Sequence, residues 1–167
     1  MNSKASNVRR AASLMAAGCT AVAAVALAGT PAHAQVRPAA CTVINIGQPG
    51  KITVNGVYAG EVEQQYDSCH HVRAHFQWSA GFRSADSGAN VALDMNYGGG
   101  DAGGEGAYAY QGADVYSDWT YIYVNGAHSW SAEAAVGAAS CSTGYASGDW
   151  HDYTTGAEFG STTPAAC

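Results

Sequence analysis

Two clusters carry side chains suited to acid–base or metal chemistry, and their spacing decides what they can do. Asp149-Trp150-His151-Asp152-Tyr153 sets two carboxylates and an imidazole among aromatics, the raw material of a general-base or glycosidase-like pair. On a strand, Asp149 and His151 point one way while Trp150 and Asp152 point the other, so the cluster splits. A polar loop anchored by Trp150 is the simpler reading. His70, His71 and His75 look like metal ligands, yet on a strand His71 and His75 share the outward face with Arg73 between them. That cation repels a metal ion, and a zinc site would want a third ligand. Solvated strand histidines are expected.

Asp86-Ser87-Gly88 resembles the nucleophile tripeptide of trypsin-like proteases, but there is no GxSxG elbow and the chain is too short for that double barrel. The glycine-rich run Gly98 to Gly106 holds Asp101 and Glu105 and is similar to calcium-binding glycine-aspartate turns, which recur in tandem. Here a single copy stands, and a flexible linker between two strands is expected. The chain is therefore read as non-enzymatic, without metal or cofactor.

Aromatic content does rise above background. All 17 Phe, Trp and Tyr lie beyond residue 34, in a segment with few Leu and Ile. Ten tyrosines exceed what so small a core can bury with satisfied hydroxyls, and Tyr with Trp is the composition that interaction surfaces favour. Two alternating runs, Trp119 to Val124 and Ala127 to Ala132, flank Asn125-Gly126, a two-residue type I′ turn signal. A hairpin with that turn sets Trp119, Tyr121, Tyr123, His128 and Trp130 on one face, with Thr120, Ile122, Val124, Ser129 and Ser131 on the other. The aromatic face reads either as core or as a binding surface, and the sequence leaves that choice open. These five residues and Tyr145, in the loop Ser142-Thr143-Gly144-Tyr145, are the candidate binding residues.

The elements that must hold them are strands. Val62, Gln64 and Tyr66 alternate with Glu61, Glu63 and Gln65, and Val72, Ala74, Phe76, Trp78 and Ala80 alternate with His71, Arg73, His75, Gln77 and Ser79. Asp67-Ser68-Cys69-His70 turns between these runs. Ile52-Thr53-Val54 and Val57-Tyr58-Ala59 flank Asn55-Gly56, a second hairpin signal. Further strands are expected at Val91 to Tyr97, with Val91, Leu93, Met95 and Tyr97 on one face, and at Tyr108 to Tyr116. Gly137 to Gly148 reads as loop, the tail from Thr154 as a polar segment ordered through Cys167, and no helix is expected. The fold class is all-β, a small antiparallel sandwich or flattened barrel of about seven or eight strands.

Residues 1–34 read as a secretory signal, with Lys4, Arg9 and Arg10, an apolar run from Ala11 to Ala28, and an Ala32-His33-Ala34 cleavage site. Cys19 lies inside that run rather than at its end, which argues against lipidation, and Arg9-Arg10 is read as an ordinary basic start. Residues 35–167 are then a single mature domain of 133 residues, with four basic and 13 acidic side chains and a net charge of −9. Nucleic-acid and anionic-membrane binding are excluded as expectations, because both need clustered basic surface. Cys41, Cys69, Cys141 and Cys167 remain, an even number that reads as two disulfides with three possible connectivities. Cys41–Cys69 and Cys141–Cys167 are favoured, because each fastens a ragged end to a nearby segment.

The strand ending near a cysteine (Gly60-Glu61-Val62 to Cys69), the alternating strand after it, the Tyr-x-Tyr-Val segment and the terminal cysteine together resemble the small secreted β-proteins of actinobacteria typified by spore-associated protein A. The resemblance implies an exported, non-enzymatic protein and assigns no site. The expected function is an extracellular interaction module, surface-associated or a subunit or adaptor of a multi-protein assembly such as a toxin particle, whose partner is another secreted or cell-surface protein. Thr42 to Ile46, apolar and β-prone, is read either as a first strand or as an edge for a partner's sheet. The alternatives are inhibition of a secreted hydrolase through the loop at Tyr145, and glycan binding by stacking on Trp119 or Trp130.

Overall fold

The chain builds its first sheet from consecutive hairpins. In the computed structural model, which describes residues 40–139, 141–142 and 144–167, β1 (Val43–Val54) turns at Asn55-Gly56 into β2 (Val57–Asp67). The turn residues have φ of 51° and 74°, the positive pair that Asn-Gly tolerates. β2 turns at residues 68–70 into β3 (His71–Trp78). The alternation is as expected: Val62, Val72, Ala74, Phe76 and Trp78 are buried, while Glu61, Glu63, Arg73 and Gln77 occupy the alternate positions. The expected signal segment lies outside the described residues.

Ala80 does not continue the strand. Ser79 Oγ accepts from the Phe82 backbone N–H (3.1 Å) and starts a helix, α1 (Ala80–Ala85), which was not expected; its Phe82 ring stacks on Trp78. β4 (Asn90–Asn96) follows and buries Val91, Leu93 and Met95 as expected. The glycine-rich run is not a flexible linker. It forms β5 (Asp101–Tyr108), antiparallel to β4 and at the edge of its sheet, because ladder hydrogen bonds need only backbone and glycine keeps both groups.

Tyr108 to Tyr116 is not one strand either. The chain leaves the second sheet there through a 3₁₀ turn at Ala109–Gln111 and joins the first as β6 (Asp114–Tyr116) beside β3. The aromatic hairpin is the largest departure. Asn125 and Gly126 do take positive φ (52° and 75°), but β7 (Thr120–Tyr121) pairs with β3 while β8 (Ser129–Ala138) pairs with β4 in the other sheet. The turn is a crossover. Trp130 and Ile122 go into the core, joined by a hydrogen bond from Trp130 Nε1 to the Ile122 carbonyl (2.8 Å).

Gly137 to Gly148, expected as loop, contributes β9 (Cys141–Ser142) and β10 (Ala146–Ser147), both on β8. β11 (Trp150–Asp152), β12 (Ala157–Phe159) and β13 (Ala165–Ala166) complete the chain, the last parallel to β1. The first sheet runs β13-β1-β2-β3-β6 with β7 on β3, and the second β12-β11-β8-β4-β5 with β9 and β10 on β8. They are two packed sheets, not a closed barrel. Ile52, Val62, Val72 and Phe76 of the first sheet and Val91, Leu93, Met95, Trp130 and Val136 of the second share one core. The thirteen strands exceed the expected seven or eight because seven of them hold only two or three residues.

Both favoured disulfides are present, Cys41–Cys69 and Cys141–Cys167, with Cα atoms 5.7 and 6.3 Å apart. The first ties the start of β1 to the β2–β3 turn. The second joins β9 of one sheet to the chain beyond β13 of the other, so it links the two layers.

Candidate binding face

The outward side chains of the first sheet line up in cross-strand rows, because the registers of β1, β2, β3, β6 and β7 put matching positions side by side. At one end, Val43 faces Asp67, and His71 faces Tyr121. The Asp67 carboxylate accepts from the backbone N–H groups of Cys69 and His71 (2.9 Å each) and lies 3.1 Å from His71 Nδ1. Burial pushes this carboxyl up, but the hydrogen bonds from His71 and Cys69 outweigh it and hold Asp67 below its ordinary value.

In the next row Asn45, Gln65 and Arg73 form a chain of planar groups. Gln65 Nε2 donates to Asn45 Oδ1 (3.0 Å), and Arg73 Nε donates to Gln65 Oε1 (2.9 Å). The Arg73 guanidinium carbon sits 4.0 Å from the Tyr116 ring centre and 4.3 Å from that of Trp119. Burial draws this group down from its ordinary value against the pull of Tyr116 and Asp67, and from so high a start it stays charged.

Glu63, His75 and Tyr116 make the third row. His75 Nδ1 is 2.8 Å from Glu63 Oε1, Nε2 is 3.0 Å from Asp114 Oδ1, and the Tyr116 ring lies flat on the imidazole at 4.5 Å. His75 is only 7% exposed, so it is not the solvated strand histidine expected; β6 and the Tyr116 ring cover it. The last row holds Lys51, Glu61, Gln77 and Asp114. Tyr58 donates to Glu61 Oε2 (2.9 Å), and its hydroxyl is pushed up to about 12 by burial and then by the Glu61 hydrogen bond and charge.

The result is a surface of rings and planar polar groups already tied to one another, suited to stacking, cation–π contact and hydrogen bonding. Trp119, Tyr121 and Tyr123 belong to it: Tyr121 packs edge-on against His71 and Tyr123, and the three are 37–49% exposed. The other candidates lie elsewhere. Trp130 is fully buried, because its strand belongs to the opposite sheet and its ring fills the core. His128 is exposed beside Asp152 (3.3 Å), and Tyr145 is exposed between β9 and β10 of the second sheet. Thr143 of the loop near Cys141 lies outside the described residues. Arg73, Tyr116, Gln65 and His75 are the members that sequence reasoning missed. The outward alternation of β3 was the available signal, but the partner strand that supplies Tyr116 was not.

The Asp149 to Tyr153 segment is not the polar loop expected, because Trp150–Asp152 pairs with β8 and β12 as β11, and its carboxylates accept from backbone N–H groups. Asp149 Oδ1 accepts from Gln48 N–H (2.7 Å), and Asp152 Oδ1 accepts from the N–H groups of Thr154 and Thr155. The Thr155 hydrogen bond, above all, lowers Asp152 to about 2.

On the second sheet Asp94, Asp101 and Glu133 bring carboxylate oxygens within 4.8 Å of one another. Asp101 therefore gathers with Asp94 and Glu133 rather than with Glu105. Asp94 is raised to about 6, by burial first and then by the charges of Asp101 and Glu133. Compared with known proteins, the chain matches no family model, no curated protein and no solved structure.

Proposed function

We propose that the protein is a secreted, non-enzymatic interaction module that docks another secreted or cell-surface protein on the outer face of its first sheet. The observation that carries this reading is Arg73 held between the exposed rings of Tyr116 and Trp119, with its Nε fixed by Gln65. Trp, Tyr and Arg dominate the energetics of protein interfaces, and side chains already ordered lose little entropy on docking. Export is supported by the charged start, apolar run and Ala-x-Ala site of residues 1–34 and by two disulfides, which persist in oxidising compartments.

The test is affinity purification from culture supernatant of the tagged wild type and of a Trp119→Ala/Tyr121→Ala variant, each checked by thermal melt. A stoichiometric protein retained by the wild type and lost from the equally folded variant is expected. Repeated recovery of the wild type alone sinks the reading. Glycan-array binding lost in the same variant reassigns the face to carbohydrate.

A further inference from the structure

We infer that the open end of the β1 edge pairs with the same edge of a second copy of the chain, joining two first sheets about a twofold axis at Ile44.

β1 lies between β2 and the short β13, which reaches only Ile52 and Thr53. From Gln48 onward its outer edge is occupied: the Gln48 N–H donates to Asp149 Oδ1 (2.7 Å), the Gln48 carbonyl accepts from the Asp149 N–H (3.2 Å), and the Asn55 N–H donates to the Cys167 carbonyl (2.9 Å). Thr42 to Ile46 is different. Backbone groups of an antiparallel strand point alternately to its two sides. The Ser68 N–H donates to the Thr42 carbonyl (2.9 Å), and Ala74 turns its carbonyl away from β2 to the Ser117 N–H (3.0 Å), so Thr42, Ile44 and Ile46 face β2. Val43 and Asn45 therefore aim their N–H and C=O groups off the sheet, where no hydrogen bond receives them among the described residues.

The side chains at this edge carry no charge. Ile44 sits on the core-facing side, in the row of Tyr66 and the buried Val72, yet it is 51% exposed, and Val43 beside it is 43% exposed. Sheet edges are commonly guarded by Lys, Pro or a bulge, and Thr42 to Ile46 has none of these. The Cys41–Cys69 bond already holds the start of the segment, so pairing costs little ordering.

The edge fits itself. With Ile44 opposite Ile44 of the second copy, Val43 lies opposite the other copy's Asn45, and each of these two symmetric pairs exchanges both its hydrogen bonds. The Ile44 pair is then the non-hydrogen-bonded one, the arrangement that brings side chains closest. The match ends at Gly47, whose φ of +72° leaves the extended form, and at Cys41, its counterpart in this register. A foreign strand of any length gains no more backbone bonds, whereas a second copy also covers its own Ile44. Pairing sets no like charges opposite each other, although each copy carries −9 over residues 35–167. About five residues a side fall short of the roughly 20 to 30 of a standard interface, so the dimer is reversible. Paired residues share a face, so both candidate binding faces come to lie on one side of the joined sheet. The association itself does not depend on that face having a partner.

The experiment is sedimentation equilibrium of the full disulfide-bonded protein across the micromolar range, with Val43→Pro and Ile44→Lys each checked by thermal melt, and wild-type amide exchange read by NMR at both ends of that range. A mass that climbs from one chain toward two in the wild type and stays at one in both variants is expected. Proline removes an outward N–H that β2 does not use, so the ladder survives it. The Val43 and Asn45 amides should slow with concentration while those of Ile44 and Ile46 stay protected throughout. A wild type that remains one chain overturns the inference, as does a dimer that survives either substitution. Val43 and Asn45 amides already slow in the dilute monomer would mean that the chain covers its own edge, and slowing only on addition of culture supernatant would give the edge to a partner's strand; either result overturns the second copy.

Discussion

Asp94→Asn should stabilise the protein at neutral and alkaline pH and leave it unchanged in acid. Asp94 faces Glu133 across the β4–β8 ladder and has Asp101 close by, so a strand pair carries like charges opposite each other. Burial, then Asp101 and Glu133, raises its carboxyl from 3.8 to about 6. A folded-state value above the unfolded one means that the fold favours the protonated acid. Nothing is lost while both states are protonated, below about pH 4; the penalty grows as pH rises to about 6 and is then constant. Two pH units correspond to about 2.7 kcal/mol, but the carboxyl is only half-buried and water screens it, which leaves about 1 kcal/mol. The isosteric amide removes the repulsion and can donate to Glu133 or Asp101. Urea denaturation at pH 4 and pH 8 in the presence of a chelator measures the difference, with a gain of about 1 kcal/mol, or roughly 4 °C in Tm, expected only at pH 8. An equal gain at both pH values, or none at pH 8, would refute the reasoning.

Thiol titration of the denatured, unreduced protein over residues 35–167 should find no free cysteine, and reduction should lower stability by several kcal/mol, since each closure contributes about 3 to 4 kcal/mol in the chain-entropy model. Two or more reactive thiols in that sample, or a melt unchanged by reductant, contradicts this. Trp130→Ala should cost about 3 to 5 kcal/mol by emptying a fully buried site, whereas Trp119→Ala should cost less than about 1 kcal/mol; comparable losses in chemical denaturation would mean that both rings are core. Gly47→Ala should lower stability by more than about 1 kcal/mol, because φ there is +72° and the new methyl meets the Asp149 carboxylate; a neutral melt would show that β1 can relax where its register on β2 shifts between Ile46 and Gly50.

What was legible in the sequence was whatever depends on side-chain alternation or on a turn dipeptide. The β1–β2 and β2–β3 hairpins and the inward face of β4 follow from period-two patterns and from Asn55-Gly56. β5 was hidden because Gly103, Gly104 and Gly106 carry no side chain to alternate, while their backbone pairs with β4 all the same. Asn125-Gly126 foretold its own dihedrals and misled about its partners: a turn sets local chain direction, but burial of Trp130 against Ile122 decides which sheet each arm enters. The same holds for the face. Trp119, Tyr121 and Tyr123 were reachable from composition, whereas Arg73 gains its meaning only from the β3–β6 register that brings Tyr116 beside it.

The parallel pairing of β1 with β13 also sets an order of assembly. β1 meets β2 through a two-residue turn, and β2 meets β3 just as locally, so this three-stranded meander and the Cys41–Cys69 pair can close from contiguous chain. Thr53 and Ala165 are 112 residues apart, and their junction waits until the second sheet is in place to bring the chain end round. Cys141 and Cys167 are only 26 residues apart in sequence, yet they meet across the two layers and therefore depend on that late junction. Topology thus predicts an order for the cysteines: Cys41–Cys69 is expected to close before Cys141 and Cys167 are aligned, which disfavours the two non-native connectivities.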